Sequence, residues 1–278
     1  MSRTTAGLTQ RTTGRRRFHT EMRNCLDLSG RVAVVIGATS GIGRALAVGL
    51  AEHGADVVPA GRREQGVEST CQEIEAAGRR TLRQTADVMS RSSIDQLCDQ
   101  VLERLGRVDI LVNAAGYTLR EPTATIRDEQ WSGLIDTNLN GVLRACQSFY
   151  GPLKESGRGR VINIVSLGAF LAFHEVAAYC AAKAGLLSLT RSLACEWAVD
   201  GIAVNAIAPG VFPTEMNSEL ISGTARGREL VARTPMRRFG KPEELVGVSV
   251  LLASDGASFL TGQCIVVDGG FLASGVSS

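Results

Sequence analysis

Val32-Ala33-Val34-Val35-Ile36-Gly37-Ala38-Thr39-Ser40-Gly41-Ile42-Gly43 sets a run of apolar β-formers directly against a loop with three glycines, and a helical stretch over 42–53 follows. Residues without a Cβ let the chain turn tightly and bring its backbone against a bound group. Gly37, Gly41 and Gly43, with Thr39, Ser40 and Ile42 between and beside them, allow a pyrophosphate to approach, and the free amides at the helix start favour its charge. Turn chemistry alone accounts for some of these glycines; the order strand, loop, helix is what makes the pattern a dinucleotide cradle.

Outward from this stretch, apolar runs rich in β-branched residues recur at 56–60, 81–84, 108–112, 161–165, 204–208 and 265–267. Helical stretches at 64–77, 92–105, 128–155, 176–199 and 242–254 alternate with them, with punctuation such as Gly54, Gly78, Gly106, Gly157 and Gly201 near the breaks. Strands separated by helices imply crossover connections and hence a parallel sheet. The pattern predicts an α/β fold: a Rossmann-type, doubly wound sheet of seven parallel strands with helices on both faces, in a single domain over 26–278. In such a fold the site opens at the carboxyl ends of the strands. Segment 210–240 breaks the alternation with Pro213, Pro235 and several glycines, and is read as a substrate lid, because loops of that length in a compact domain are functional or mobile.

A chain of 278 residues can bury about three quarters of its unfolded surface without disulfides or a structural metal. The formal charge of +2 is too small to argue for a polyanionic partner, so no nucleic acid is expected. Seven cysteines are scattered without a Cys-x-x-Cys pair, which reads as reduced thiols in a cytoplasmic protein with no metal site. No run of about 18 apolar residues is present, so no membrane span is expected. Residues 1–25 form a basic extension, with Arg3, Arg11, Arg15, Arg16 and Arg17 and no acidic residue among the first twenty. It lacks the apolar core of a secretory signal. Three readings stand for it: a solvated tail, an organelle-targeting peptide, or an upstream start with the chain proper beginning at Met22.

Chemistry is concentrated further along. Tyr179 and Lys183 are four apart, thirteen residues after Ser166, and a helix would put them on one face. A phenol with an ordinary pKa of about 10 needs a nearby cation to exchange protons near neutrality. At the end of the second strand, where an acidic residue would hold a ribose 2′-hydroxyl, the chain reads Pro59-Ala60-Gly61-Arg62-Arg63. Two guanidiniums suit a 2′-phosphate, so NADP(H) is favoured over NAD(H), with Arg62 ahead of Arg63; a solvated pair opening a helix is the other reading. Asp87-Val88 closes the third strand, either to hold an adenine amino group or to cap a helix. Asn113-Ala114-Ala115-Gly116 ends the fourth with small residues that let a cofactor lie close, and Asn113 either locks neighbouring strands or faces that cofactor. Asn138 lies inside a predicted helix that its propensity does not favour, a local inconsistency of the kind that marks sites.

Together these marks, with Pro209-Gly210 and Thr214, resemble the short-chain dehydrogenase/reductase family in its single-domain branch, over about Asp27 to Gly270. Two positions depart from the usual pattern: Ile36 stands where a Thr commonly precedes the first glycine, and Ala114 replaces the second Asn of Asn-Asn-Ala-Gly. The resemblance implies an enzyme that interconverts a secondary alcohol and a ketone by hydride transfer. It implies Tyr179 as general acid and base, Ser166 as a hydrogen-bond donor to the same oxygen, and Lys183 as the group that holds the nicotinamide ribose and depresses the Tyr179 pKa. Asn138 would anchor a proton-relaying water, and Thr214 or nearby backbone would meet the carboxamide. A homotetramer built on helices 128–155 and 176–199 is also implied.

Phe170, Phe173 and His174 should line the substrate side, although His174 reads better as a surface or packing residue and Arg120 as a solvated one. With Arg120, His174 and Asn217 available, a sugar acid or polyol leads as substrate. The alternative is reduction of a 3-oxoacyl thioester on a carrier protein, docked on Arg226, Arg228, Arg233, Arg237 and Arg238. An alternative of another class is a non-catalytic nucleotide-binding sensor, which has no need for the full Ser166, Tyr179, Lys183 and Asn138 set.

Overall fold

The strand β1 (Val32–Ile36) is buried along its whole length and pairs in parallel with β2 (Asp56–Ala60) on one side and β3 (Ile110–Asn113) on the other. The computed structural model describes residues 24–215 and 217–275; the expectations for the first 23 residues lie outside them. Beyond β3 the sheet continues through β4 (Arg160–Ile164), β5 (Ala203–Pro209) and β6 (Cys264–Val267), giving the order β2-β1-β3-β4-β5-β6. The chain leaves β1 towards one edge and returns to its other flank, so the order reverses between β1 and β3. Ligands bind at such switch points.

The described residues form nine α-helices: α1 (Gly41–Glu52), α2 (Glu64–Ala76), α3 (Arg91–Leu105), α4 (Asp128–Ile135), α5 (Gly141–Glu155), α6 (Ala177–Trp197), α7 (Ser218–Ile221), α8 (Ala225–Arg233) and α9 (Val246–Ala253). Alternate residues of β1 feed two apolar layers. Val32, Val34 and Ile36 pack with Leu97, Phe149 and Leu186 of α3, α5 and α6. Ala33 and Val35 pack with Leu46 and Leu50 of α1 and Val250 of α9. A sheet covered on both faces explains why its strands read as continuous apolar runs. Helix ends follow local chemistry: Ser90 accepts the Ser93 amide to start α3, and Gly106 at φ +79° stops it.

Three sequence expectations change. The expected seventh strand, 81–84, is not a strand, and six are found among the described residues. The segment runs beside β2, with the Val57 amide donating to Arg80 O and the Ala86 amide to Gly61 O. Between these two bonds the outward position of β2 is Pro59, which has no N–H to give, and Leu82 O accepts from Cys71 Sγ instead. The helix expected over 128–155 is divided by a π-helical turn, Asp136–Asn140, that carries Asn138. The stretch 210–240 contains α7 and α8, and its two ends are tied by the Gly240 amide to Val211 O, with the Phe212 ring against Gly240.

The opposite end of the sheet is braced by ion pairs. Asp109, fully buried, accepts from the Val32 amide at 2.9 Å and from Arg107 and Arg158. Among the described residues all seven cysteines are free, no cluster of metal-ligating side chains occurs, and no helix is long and apolar enough to cross a membrane.

Candidate active site

The cleft at the switch point has a volume of about 530 Å³. Its floor is the loop from β1 to α1. Gly37 has φ +94°, and a Cβ there would lie 2.4 Å from Ala115 N; at Gly43 it would lie 2.2 Å from Gly37 O. Loop, helix start and the Ala114-Ala115 backbone are thus pressed together as only glycine permits. Ser40, at the N-cap of α1, makes no side-chain cap, and no acidic residue occupies the first turn, so the amide end of the helix faces the cleft uncompensated.

Every residue expected to hold a cofactor lines this cleft except Asn113. Of the two roles open to Asn113, the structure shows the strand lock: it is 3% exposed and donates to Asn163 Oδ1, and Asn163 Nδ2 in turn donates to Thr190. Arg62 lines the cleft without a hydrogen bond or ion pair among the described residues. Arg63 is engaged by Thr39, Ser40 and Glu215. Asp87 does not cap α3; its carboxylate accepts the Met89 amide in a turn. Thr214 is held by Asn217, which accepts the Thr214 amide and donates to Phe212 O.

At the other end of the cleft the four expected catalytic residues converge. Ser166 follows β4 and its Oγ accepts the Gly168 amide, which fixes a short 3-10 turn against α6. Tyr179 and Lys183 project from α6, and Lys183 Nζ donates to Ile164 O at 2.8 Å and lies 5.7 Å from the Tyr179 ring centroid. Burial pushes the Lys183 ammonium down to about 8. Burial pushes the Tyr179 phenol above its ordinary value, with the Ser166 hydroxyl opposing. The Lys183 ammonium is turned towards a backbone carbonyl, and burial is the larger influence on the phenol.

Asn138 is fully buried in the π-helical turn and donates to Tyr117 O and Leu134 O, each at 3.0 Å. Its Oδ1 is buried without a partner, and an unsatisfied carbonyl of that kind is costly enough to need a reason. A Cβ at Gly116 would meet that oxygen at 2.4 Å and Lys183 Nζ at 3.6 Å, so the glycine keeps open the space between the two side chains.

A second cavity, about 150 Å³, shares Ser166, Tyr179, Gly210 and Asn217 with the cleft. Its far wall is built from Arg120, Phe173, Val176 and the helices α7 and α8 through Ile221, Arg226 and Leu230. Of the residues expected there, Phe173 is present and packs on Phe271, while His174 points outward at 78% exposure. Arg120 is bound to Glu175 at 2.7 Å, and Glu175 adopts φ +63°, a left-handed conformation that is uncommon for a residue with a side chain. Sequence reasoning missed Glu175 and Glu215, the two carboxylates that hold these cleft-mouth arginines; neither belongs to a motif, and both reach their partners only through folding.

A family model described as enoyl-(acyl carrier protein) reductase matches residues 37–272. The chain is 37% identical over 251 residues to the 2-dehydro-3-deoxy-D-gluconate 5-dehydrogenase of Dickeya dadantii, covering 90% of this chain and 98% of that one. A putative NAD(P) dependent gluconate 5-dehydrogenase from Beutenbergia cavernae, solved with bound NADP, is 40% identical with a TM-score of 0.86, over 90% of this chain and 100% of that one. A gluconate 5-dehydrogenase from Burkholderia cenocepacia, solved with NADP and tartrate, is 34% identical with a TM-score of 0.86, over 90% and 98%. With the glycine cradle, the convergent Ser166, Tyr179 and Lys183 and these relatives in agreement, the chain belongs to the short-chain dehydrogenase/reductase family of oxidoreductases.

Proposed function

We propose that this protein uses NADP(H) to interconvert a secondary alcohol and a ketone on a sugar acid or polyol. The observation that carries the reading is the shared wall: Ser166 and Tyr179 separate a cleft with a dinucleotide cradle from a small second cavity with polar and cationic groups. The bound cofactor supplies or accepts the hydride. Tyr179 gives its phenolic proton to the substrate oxygen as that oxygen becomes an alkoxide, and recovers it in the oxidising direction. The Ser166 hydroxyl donates to the same oxygen and fixes its position. Lys183, anchored on Ile164 O, holds ribose hydroxyls and keeps a positive charge beside the proton donor. The unpartnered Asn138 Oδ1, across Gly116 from Lys183, suits a water that returns protons from the lysine to solvent.

Arg62 and Arg63 at the end of β2, where an acidic side chain would repel a 2′-phosphate, support NADP(H), and the NADP found in two relatives agrees with it. Arg120 and Arg226 also line the second cavity, where a substrate carboxylate would have to exchange with their present partners, Glu175 and His174 O. The thioester alternative needs free basic residues on the lid. Arg238 is paired with Glu244, Arg233 lies over the Phe271 ring, and Arg226, Arg228 and Arg237 donate to backbone carbonyls, which leaves that surface less available. Seven unpaired thiols suit a reducing, cytoplasmic setting, and family resemblance supports a homotetramer.

The test is absorbance at 340 nm with NADPH and NADH against keto sugar acids, ketoses and a 3-oxoacyl thioester. Turnover of keto sugar acids or ketoses with NADPH is expected. Turnover of the thioester alone would move the protein to the carrier-protein reductases. Tight cofactor binding without turnover of any carbonyl would make it a sensor.

A further inference from the structure

Arg63, just before α2, reaches across the mouth of the cleft to the opposite wall. Its Nε donates to Thr39 Oγ1 at 3.2 Å, its Nη2 to Thr39 Oγ1 at 3.0 Å and to Ser40 Oγ, and its Nη1 to Glu215 Oε2 at 2.8 Å. The surroundings are shaped for close approach: a Cβ at Gly61 would lie 2.7 Å from Thr39 Cγ2, and one at Gly66 would lie 2.6 Å from Thr39 Cβ. Glu215 comes from the other side, at the root of the 210–240 segment. Its neighbour Thr214 leans on the glycine loop, with Cγ2 3.0 Å from where a Gly41 Cβ would be. The carboxylate is held below its ordinary range by the Arg63 hydrogen bond and charge, so it is ionised at neutral pH. Arg62 lines the same end of the cleft without a partner among the described residues.

We infer that Glu215 is a cofactor-discriminating residue: its carboxylate occupies Arg63 as an internal substitute for a ribose 2′-phosphate, which must displace it to use that guanidinium. This rests on the NADP(H) reading above. All three nitrogens of Arg63 are engaged, so the side chain cannot offer a phosphate the paired donors of a bidentate grip without giving up a partner. A 2′-phosphate also meets the Glu215 charge, whereas the neutral 2′-hydroxyl of NAD(H) does not. Glu215 therefore narrows the preference that Arg62 and Arg63 create. The exchange of anionic partners also releases the link between α2 and the root of the lid segment, so binding at the adenosine end loosens the contact across the cleft mouth.

Both groups are largely exposed, 55% for Arg63 and 69% for Glu215, so the effect is modest and screened by salt. Dissociation constants for NADPH and NADH, from fluorescence titration of the substrate-free protein, test it in wild type, Glu215→Gln, Arg63→Met, the double variant and a Glu219→Gln control. Glu215→Gln should tighten NADPH about threefold and leave NADH unchanged; the gain should vanish in the Arg63→Met background, shrink at high salt and be absent in the control. A wild type that prefers NADPH, with Glu215→Gln leaving or weakening that preference, overturns the inference alone. Equal wild-type affinity for both cofactors, with Arg63→Met changing neither, overturns the NADP(H) reading and the inference with it.

Discussion

Lys183 Nζ stands 5.7 Å from the centre of the Tyr179 ring while donating to Ile164 O on the neighbouring strand. One turn of α6 puts both side chains on the same face, and the β4 carbonyl fixes the ammonium beside the phenol rather than on it. Both side chains therefore come from α6, and β4 adds a second anchor for the ammonium alone. Removing the hydroxyl alone leaves the cradle and the lysine in place. Tyr179→Phe should keep cofactor affinity within about twofold while losing about 10² to 10⁴ in kcat. Titration of NADPH fluorescence beside steady-state kinetics checks both halves. Wild-type turnover in that variant would remove Tyr179 from the reaction.

The two titrating groups predict separate pH effects. Tyr179 is raised above its ordinary value by burial, so the phenol remains protonated through neutrality, as the proposed role of donor in reduction requires. Oxidation needs the deprotonated form, so its rate should climb with pH up to and beyond about 9, while ketone reduction stays flat from about pH 6 to 8. Lys183, pushed down to about 8, loses its charge as pH rises through that value. Cofactor affinity, measured without substrate, should therefore weaken above it. An affinity constant between pH 7 and 9.5 would show that the Lys183 charge does not contribute to binding.

Two glycines with similar backbone angles separate strain from fit. Gly37 at φ +94° faces the Ala114-Ala115 backbone, whereas Gly78 at φ +75° has nothing within 4 Å of a Cβ. Gly78→Ala should cost about 1 kcal/mol from the left-handed conformation and leave cofactor binding intact. Gly37→Ala adds a clash with main chain that no rotamer change can relieve. It should lower the melting temperature further and weaken cofactor binding on the order of tenfold, about 1.4 kcal/mol. Thermal melts and cofactor titrations of both variants check the contrast, and equal behaviour would mean that the Gly37 contact is not required.

The parts of the site that were legible in the sequence are those written in consecutive residues. The glycine loop, Ser166, and the Tyr179 and Lys183 pair carry their geometry in their spacing, because a loop or one helical turn fixes it. What escaped depends on register and on remote packing. Pro59 withholds one N–H from the sheet edge, and the expected strand at 81–84 fails for that reason, although its own residues suit a strand. Asn113 ends a strand in the expected place, yet its side chain turns inward to Asn163, which a single-strand pattern does not decide. Arg62 and Arg63 are adjacent in sequence and both line the cleft, but only Arg63 is tied to Thr39, Ser40 and Glu215, a difference that adjacency does not reveal. Glu215 is separated from Arg63 by 152 positions, so only the fold of the 210–240 segment could bring it there.

Stability in acid should depend on the end of the sheet remote from the site. Burial pushes the Asp109 carboxyl up, but hydrogen bonds from Arg107, the Val32 amide and Arg158 outweigh it and hold the pKa below the ordinary value. The folded chain therefore protonates Asp109 at lower pH than the unfolded chain does. Its contribution is fully present well above the unfolded value of about 3.9 and is lost as pH falls through the lower folded value. Asp109→Asn removes this term and leaves two guanidiniums short of a partner. Because Arg107 and Arg158 are 43% and 35% exposed, the loss at pH 7 should be roughly 2–3 kcal/mol, less than for a fully buried pair. Urea unfolding at pH 7 and near pH 3 checks it: the gap between wild type and variant should narrow as pH falls. A gap that is constant across that range would mean that the charge of Asp109 is not what stabilises the junction of β1 and β3.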